Sequence, residues 1–113
     1  GIMSCPTVMA AGAFALLAGT AQAQQLTDAE FEATHVGKCV AYTGASDGTQ
    51  CYNADGTASY DDTSYGTDKG TWTFSKGQFC VKWSKEAGTA CSTYCNDGYG
   101  GFTSGDYTWQ VKG

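Results

Sequence analysis

The residues able to do chemistry in this chain are few, and the spacing gives each of them a simpler task. His35 is the only histidine among 113 residues, and so the only conventional general base near neutral pH. It falls in the last turn of a predicted helix, where an imidazolium would also stabilise the helix dipole, and a structural role is expected for it. Glycoside hydrolysis would need two converging carboxylates. Asp61 and Asp62 are adjacent, so a strand would point them to opposite faces and a loop would leave them solvated. Asp47, Asp55, Asp97 and Asp106 each adjoin a glycine, where turn chemistry explains them. Asn53-Ala54-Asp55-Gly56 lacks the further acidic ligands of a calcium loop. The chain has no G-x-S-x-G, no phosphate-binding loop, no H-E-x-x-H and no G-x-G-x-x-G at a strand-helix junction. No catalytic residue, metal site or cofactor is therefore expected.

Cysteine is the other reactive type. Six are present, and Cys5 lies inside a predicted leader, so the remainder is Cys39, Cys51, Cys80, Cys91 and Cys95. In a small exported domain the default for such residues is the disulfide. Cys91 and Cys95 are spaced C-x3-C rather than as a C-x2-C redox pair, and the lone histidine is remote in sequence, which disfavours zinc. Cys39 and Cys51 flank the first hairpin. Cys80 shares a side of the sheet with both Cys91 and Cys95. We expect Cys39 with Cys51 and Cys80 with Cys91, although strand parity by itself does not choose between Cys91 and Cys95. Cys95 is then expected to be free or to pair between molecules.

The elements that must position these residues are short. Leu26-Thr27-Asp28-Ala29-Glu30-Phe31 reads as a capping box with a hydrophobic staple, Thr27 capping the Glu30 amide and Leu26 packing on Phe31. The helix is expected over about Asp28 to Val36, with Gly37 as its left-handed terminator. Beyond it, brief alternating segments broken by Gly, Asn and Asp read as an antiparallel sheet. Two-residue turns are expected at Asp55-Gly56, Lys76-Gly77 and Asp97-Gly98, and the segment from Asp61 to Lys69 as the longest loop. A Lys76-Gly77 turn sets Phe74 opposite Phe79 and Trp72 opposite Val81. Trp72, Phe74, Phe79, Val81 and Trp83 then form a dry face, and Thr71, Thr73, Ser75, Cys80, Lys82 and Ser84 a wet one. Seven or eight strands are expected. The fold class is all-β, a small antiparallel meander curled into a barrel or half-barrel with one short N-terminal helix over an open end.

Composition places the molecule. Six cations, all lysine, against eleven carboxylates give a formal charge of -5, which makes nucleic acid a poor partner. Residues 1–23 read as a secretory signal peptide. An uncharged apolar run from Thr7 to Ala18 is too short to span a bilayer, and Ala21-Gln22-Ala23 supplies a small-x-small cleavage site. The single β domain is then 24–113, with no membrane span in the mature chain and a periplasmic or secreted location. About 90 residues give only a marginal core, so disulfides are needed, and filling that core is expected to consume the aromatic face. A contact surface rich in Tyr, Ser and Gly is expected from Ser59–Gly66 and Tyr99–Tyr107, carried by Tyr60, Tyr65, Tyr99 and Tyr107.

At Gly70-Thr71-Trp72-Thr73-Phe74, Phe79-Cys80-Val81-Lys82-Trp83 and Cys91 the chain resembles a group of small exported bacterial proteins of unknown function. Their pattern continues in the helix from Leu26 to Glu30, in Gly37-Lys38 and in Asp55-Gly56. The resemblance implies a lipocalin-like β domain with Cys80 bridged to Cys91, and no activity. Trp109-Gln110-Val111-Lys112-Gly113 is similar to the W-x-x-K-G tail of periplasmic lysozyme inhibitors. The reading from sequence is thus an exported, non-catalytic domain that binds a protein or small ligand in the cell envelope. The alternative is a secreted inhibitor of a hydrolase such as lysozyme, which would show as stoichiometric loss of lysozyme activity.

Overall fold

The computed structural model describes Cys5, Thr7–Val8 and residues 21–111. Two short strands, β1 (Thr7–Val8) and β2 (Ala21–Gln22), pair with each other. Apart from Cys5, β1 and the residues from Ala21 on, the expected leader lies outside the described residues. The remaining strands form one antiparallel sheet: β3 (Gln24–Gln25), β4 (Lys38–Gly44), β5 (Gly48–Tyr52), β6 (Thr57–Asp62), β7 (Gly66–Ser75), β8 (Gln78–Trp83), β9 (Ala90–Thr93), β10 (Cys95–Asn96), β11 (Phe102–Ser104) and β12 (Tyr107–Val111). Their order, β3-β10-β11-β12-β4-β5-β6-β7-β8-β9, wraps the sheet into a nearly closed barrel with one unsealed seam. The sheet has ten strands rather than seven or eight, because two-residue strands such as β3 and β10 carry no alternation to read.

Helix α1 (Asp28–Thr34) begins with the expected reciprocal capping: Thr27 Oγ1 accepts from the Glu30 amide and Glu30 accepts from the Thr27 amide. It ends at Thr34, two residues sooner than expected, with His35 as its C-cap and Thr34 Oγ1 turned back to the Glu30 carbonyl. Gly37, at φ 82°, takes the chain into β4. The Asp28 carboxylate accepts from the Lys76 amide, which seats the helix on the end of the barrel that carries the β7–β8 turn.

The β7–β8 hairpin has the expected register: Phe74 opposes Phe79, Trp72 opposes Val81, and Lys76 and Gly77 take the two positive-φ positions of a primed turn. Phe79 and Val81 are buried in the core and Trp72, Phe74 and Trp83 pack against it. Two turns differ from expectation. β5 ends at Tyr52 and β6 begins at Thr57, so their connection spans four residues, because Asp55 Oδ1 accepts from both the amide and hydroxyl of Thr57 and holds a wider loop. The connection after β10 likewise runs to Gly101, where Asp97 Oδ1 accepts from the amides of Tyr99 and Gly101. The expected long loop between Asp61 and Lys69 is mostly strand, with Asp62 paired to Gly66.

Cys39–Cys51 and Cys80–Cys91 are disulfides between directly opposed residues of neighbouring strands. Cys95 is not free: it is bonded to Cys5. The expectation of a free or intermolecular Cys95 rested on treating Cys5 as removed, whereas a bridge across 90 residues of separation ties the N-terminal segment to β10.

Candidate functional site

The two ends of the barrel interior differ. At the helical end, Phe31 stacks on Phe74 at 4.1 Å between ring centres and on His35 at 5.0 Å, with Tyr52 and Trp72 edge-on. These rings fill the cross-section, and such pairs add to the area they bury. His35 is wholly buried. Thr34 Oγ1 donates to the Glu30 carbonyl, so at 2.8 Å it accepts from His35 Nδ1–H, while His35 Nε2 accepts from the Trp109 indole at 2.9 Å. The ring is therefore neutral. Burial, and secondarily the nearby Lys38 charge, lower its pKa to about 4. This corrects the sequence reading in one respect: the imidazole does not serve the helix dipole as a cation but closes the barrel as an uncharged hydrogen-bond hub.

The other end is open. The interior there is not consumed by the core, and a cavity of about 490 Å³ is left between the sheet walls and the β6–β7, β8–β9 and β11–β12 connections. Its size falls within the range of small-ligand sites. The apolar wall comes from inward positions of β4, β8 and β12, among them Val40, Val81 and Trp109. The floor is polar. Tyr52 and Tyr94 join hydroxyls at 2.7 Å, and Gln50 Nε2 donates to Tyr52 at 3.1 Å. Burial pushes the pKa of both phenols up, so they stay neutral and offer hydroxyl groups to whatever enters. Tyr94 also tacks the seam, its amide donating to Gly77 and its carbonyl accepting from Leu26.

Two aromatic pairs stand at the mouth. Tyr42 and Tyr107 meet edge to face at 5.5 Å, and Tyr60 and Trp83 at 4.7 Å. Tyr42 is aimed by its hydroxyl, which donates to Asp62 Oδ2 at 2.7 Å, and by Gly48, where a Cβ would collide with that hydroxyl. Asp62 organises the whole rim. Oδ2 also accepts from Ser46 at 2.6 Å, and Oδ1 accepts from the Ser64 and Tyr65 amides, which folds the β6–β7 turn. The Ser46 bond, together with those from Tyr42 and the two amides, outweighs burial and lowers the Asp62 pKa to about 2. Asp68 plays the same part for the start of the β8–β9 connection: burial raises its pKa, but bonds from the Ser84 hydroxyl and the Lys85 and Lys69 amides bring it down.

Of the residues expected to form a binding surface, Tyr60, Tyr65 and Tyr107 are brought together around this mouth. Tyr99 is not; it sits 51% exposed in the loop after β10. The cysteines Cys39, Cys51 and Cys80 take no part in the lining, whereas Cys91 lies at its edge. Sequence reasoning missed Tyr42, Gln50, Tyr52 and Tyr94 as site residues, and treated Asp62 as solvated. The signal was present for three of these: Val40-Ala41-Tyr42 and Gln50-Cys51-Tyr52 alternate with a cysteine or alanine outward, which fixes the tyrosines inward. Among the described residues no group of three or more His, Cys, Asp or Glu is placed to hold a metal ion. No protein-family model, curated protein or solved structure matches the chain.

Proposed function

We propose that this protein is an exported binding domain that holds a small, partly apolar ligand in the open end of its barrel. The observation that carries the reading is the asymmetry of the interior. One end is packed solid by the Phe31 stack, and the other keeps a cavity of about 490 Å³ over a hydroxyl floor. A barrel of this size has few inward positions, and a core selected for packing alone would close them, since interiors are normally filled to crystal-like density. Tyr42 and Tyr60, on β4 and β6, instead line open space. Three disulfides support export, because such bonds persist in oxidising compartments. No described helix is long and apolar enough to cross a membrane. Within this reading residues 1–23 direct export and stay attached to the domain proper, 24–113, through the Cys5–Cys95 bridge.

The test uses an uncharged, environment-sensitive apolar dye. Nile red added to the oxidised protein should give a saturable fluorescence rise with a stoichiometry of one. Ala90→Trp places an indole in the mouth from an exposed lining position on β9, and should abolish that rise while leaving the urea midpoint unchanged. A dye response that is absent in the parent protein, or undiminished in a folded Ala90→Trp variant, would overturn the proposal.

A further inference from the structure

The charges around the cavity are of one sign. Among the described residues three carboxylates, Asp62, Glu86 and Asp106, line it, and no lysine or histidine does. The two lysines that precede Glu86 are engaged by backbone carbonyls, Lys82 Nζ donating to Glu86 and Lys85 Nζ to Thr67, and neither side chain lines the cavity. Asp62 is fully bonded by four donors within the protein, so it requires no ligand to be satisfied, and it stays ionised as a fixed negative charge in the wall. Glu86 and Asp106 are exposed at the rim and free to turn toward an occupant. The aromatic pairs Tyr42–Tyr107 and Tyr60–Trp83 line the same cavity as these carboxylates.

Ring faces carry negative quadrupoles that attract a cation within about 6 Å, and carboxylates in a cleft with low-dielectric walls concentrate positive ions. An anion would be repelled by the same groups, and a neutral ligand would gain nothing from them. Resting on the reading that the cavity is a ligand site, we propose that it selects an organic cation: a primary or quaternary ammonium on an apolar, ring-sized body. The ring lies against Val81 and Trp109 toward the hydroxyl floor, and the ammonium remains among Tyr60, Trp83, Glu86 and Asp106 at the mouth.

Three indoles of one shape and different charge separate the possibilities: tryptamine, tryptophol and indole propionate, titrated calorimetrically into the oxidised protein near neutral pH and low salt. Tryptamine should bind at least tenfold more tightly than tryptophol, and indole propionate more weakly than either. In the double variant Glu86→Gln, Asp106→Asn the tryptamine advantage should fall by about tenfold, with tryptophol affinity unchanged. Those two side chains are exposed and anchor nothing, so the variant should keep the parent urea midpoint, and raised salt on the parent protein should reproduce the same loss without mutation. Equal binding of tryptamine and tryptophol, or tighter binding of indole propionate, would overturn cation selection and leave the cavity a ligand site. Binding of none of the three would overturn cation selection, and joined to a failure of Nile red to bind it would remove the ligand site as well.

Discussion

His35 gives the sharpest handle on how the closed end of the barrel is held. The folded protein keeps the imidazole neutral with a pKa of about 4, against an ordinary value of 6.5. Because the folded pKa is lowered, the unfolded chain takes up the proton first, and stability must fall as pH drops from about 6.5 toward 4. Above pH 6.5 both states are neutral and the group exerts no pH dependence. The shift amounts to about 3 kcal/mol in total, of which about 2.5 kcal/mol is lost between pH 7 and pH 4.5. The physical origin is burial inside a ring of Phe31, Tyr52, Phe102 and Trp109, to which the Lys38 charge adds; a proton on Nε2 would also meet the Trp109 indole N–H, which now donates to that nitrogen. Urea unfolding with disulfides intact reads this out. With a slope near 1 kcal/mol per molar urea for a domain this small, the midpoint should fall by about 2.5 M between those pH values. The buried Asp62 and Asp68 do not obscure the window. Their pKa values are lowered from 3.8, so their contributions are lost only below about pH 4. His35→Gln keeps an acceptor for Trp109 without a titrating group, and should flatten the profile between pH 7 and 4.5. A parent midpoint that does not move over that range, or a His35→Gln variant with the parent slope, would refute the reasoning.

Other consequences are as specific. Phe31→Ala removes the ring at the centre of the buried stack and should lower stability by about 3 to 5 kcal/mol, measured by urea or thermal unfolding; a loss under about 1 kcal/mol would show that the helix does not seal the barrel. Replacing Cys80 and Cys91 together by serine opens a loop with a sequence separation of 11 and should cost about 3 kcal/mol on the chain-entropy account, with the sheet retained by circular dichroism. Thr27→Ala removes the cap that closes the reciprocal pair with Glu30 and should cost about 1 kcal/mol. Peptide mapping of the oxidised protein should recover Cys5 and Cys95 in one cross-linked fragment; a free thiol at Cys95 would contradict that bridge.

The parts of the fold that could be read from the chain are those fixed by local rules. The capping box needs only Thr27 and Glu30 at the right spacing, and the β7–β8 hairpin needs only alternation around a glycine turn, so both were legible, as were the cysteines that fall opposite each other in register. Where side chains rewire the backbone the reading failed. Asp55 and Asp97 accept amide protons two to four residues on and widen loops that look like two-residue turns. Asp62 accepts two amides and two hydroxyls and turns an apparent polar loop into a strand end. A buried carboxylate satisfied by four local donors has the composition of a solvated one, and only the partners tell them apart. The Cys5–Cys95 bridge was hidden because an apolar run with a small-x-small end outweighs a single cysteine placed ahead of it. The cavity was invisible for another reason: which inward positions leave space depends on the closure of the barrel and on the far wall, and neither is encoded in any one strand.

The most direct test of the central claim, that one end of the barrel is sealed and the other receives a ligand, is a nitrogen-proton correlation spectrum of labelled protein titrated with tryptamine. Trp83 lines the cavity, and its indole signal should shift saturably. The Trp72 indole, held by the Asn53 carbonyl at 3.1 Å beside the helical plug, should stay in place. Saturable movement of Trp72 with Trp83 still, or shifts spread over the outer faces of the strands, would contradict the account.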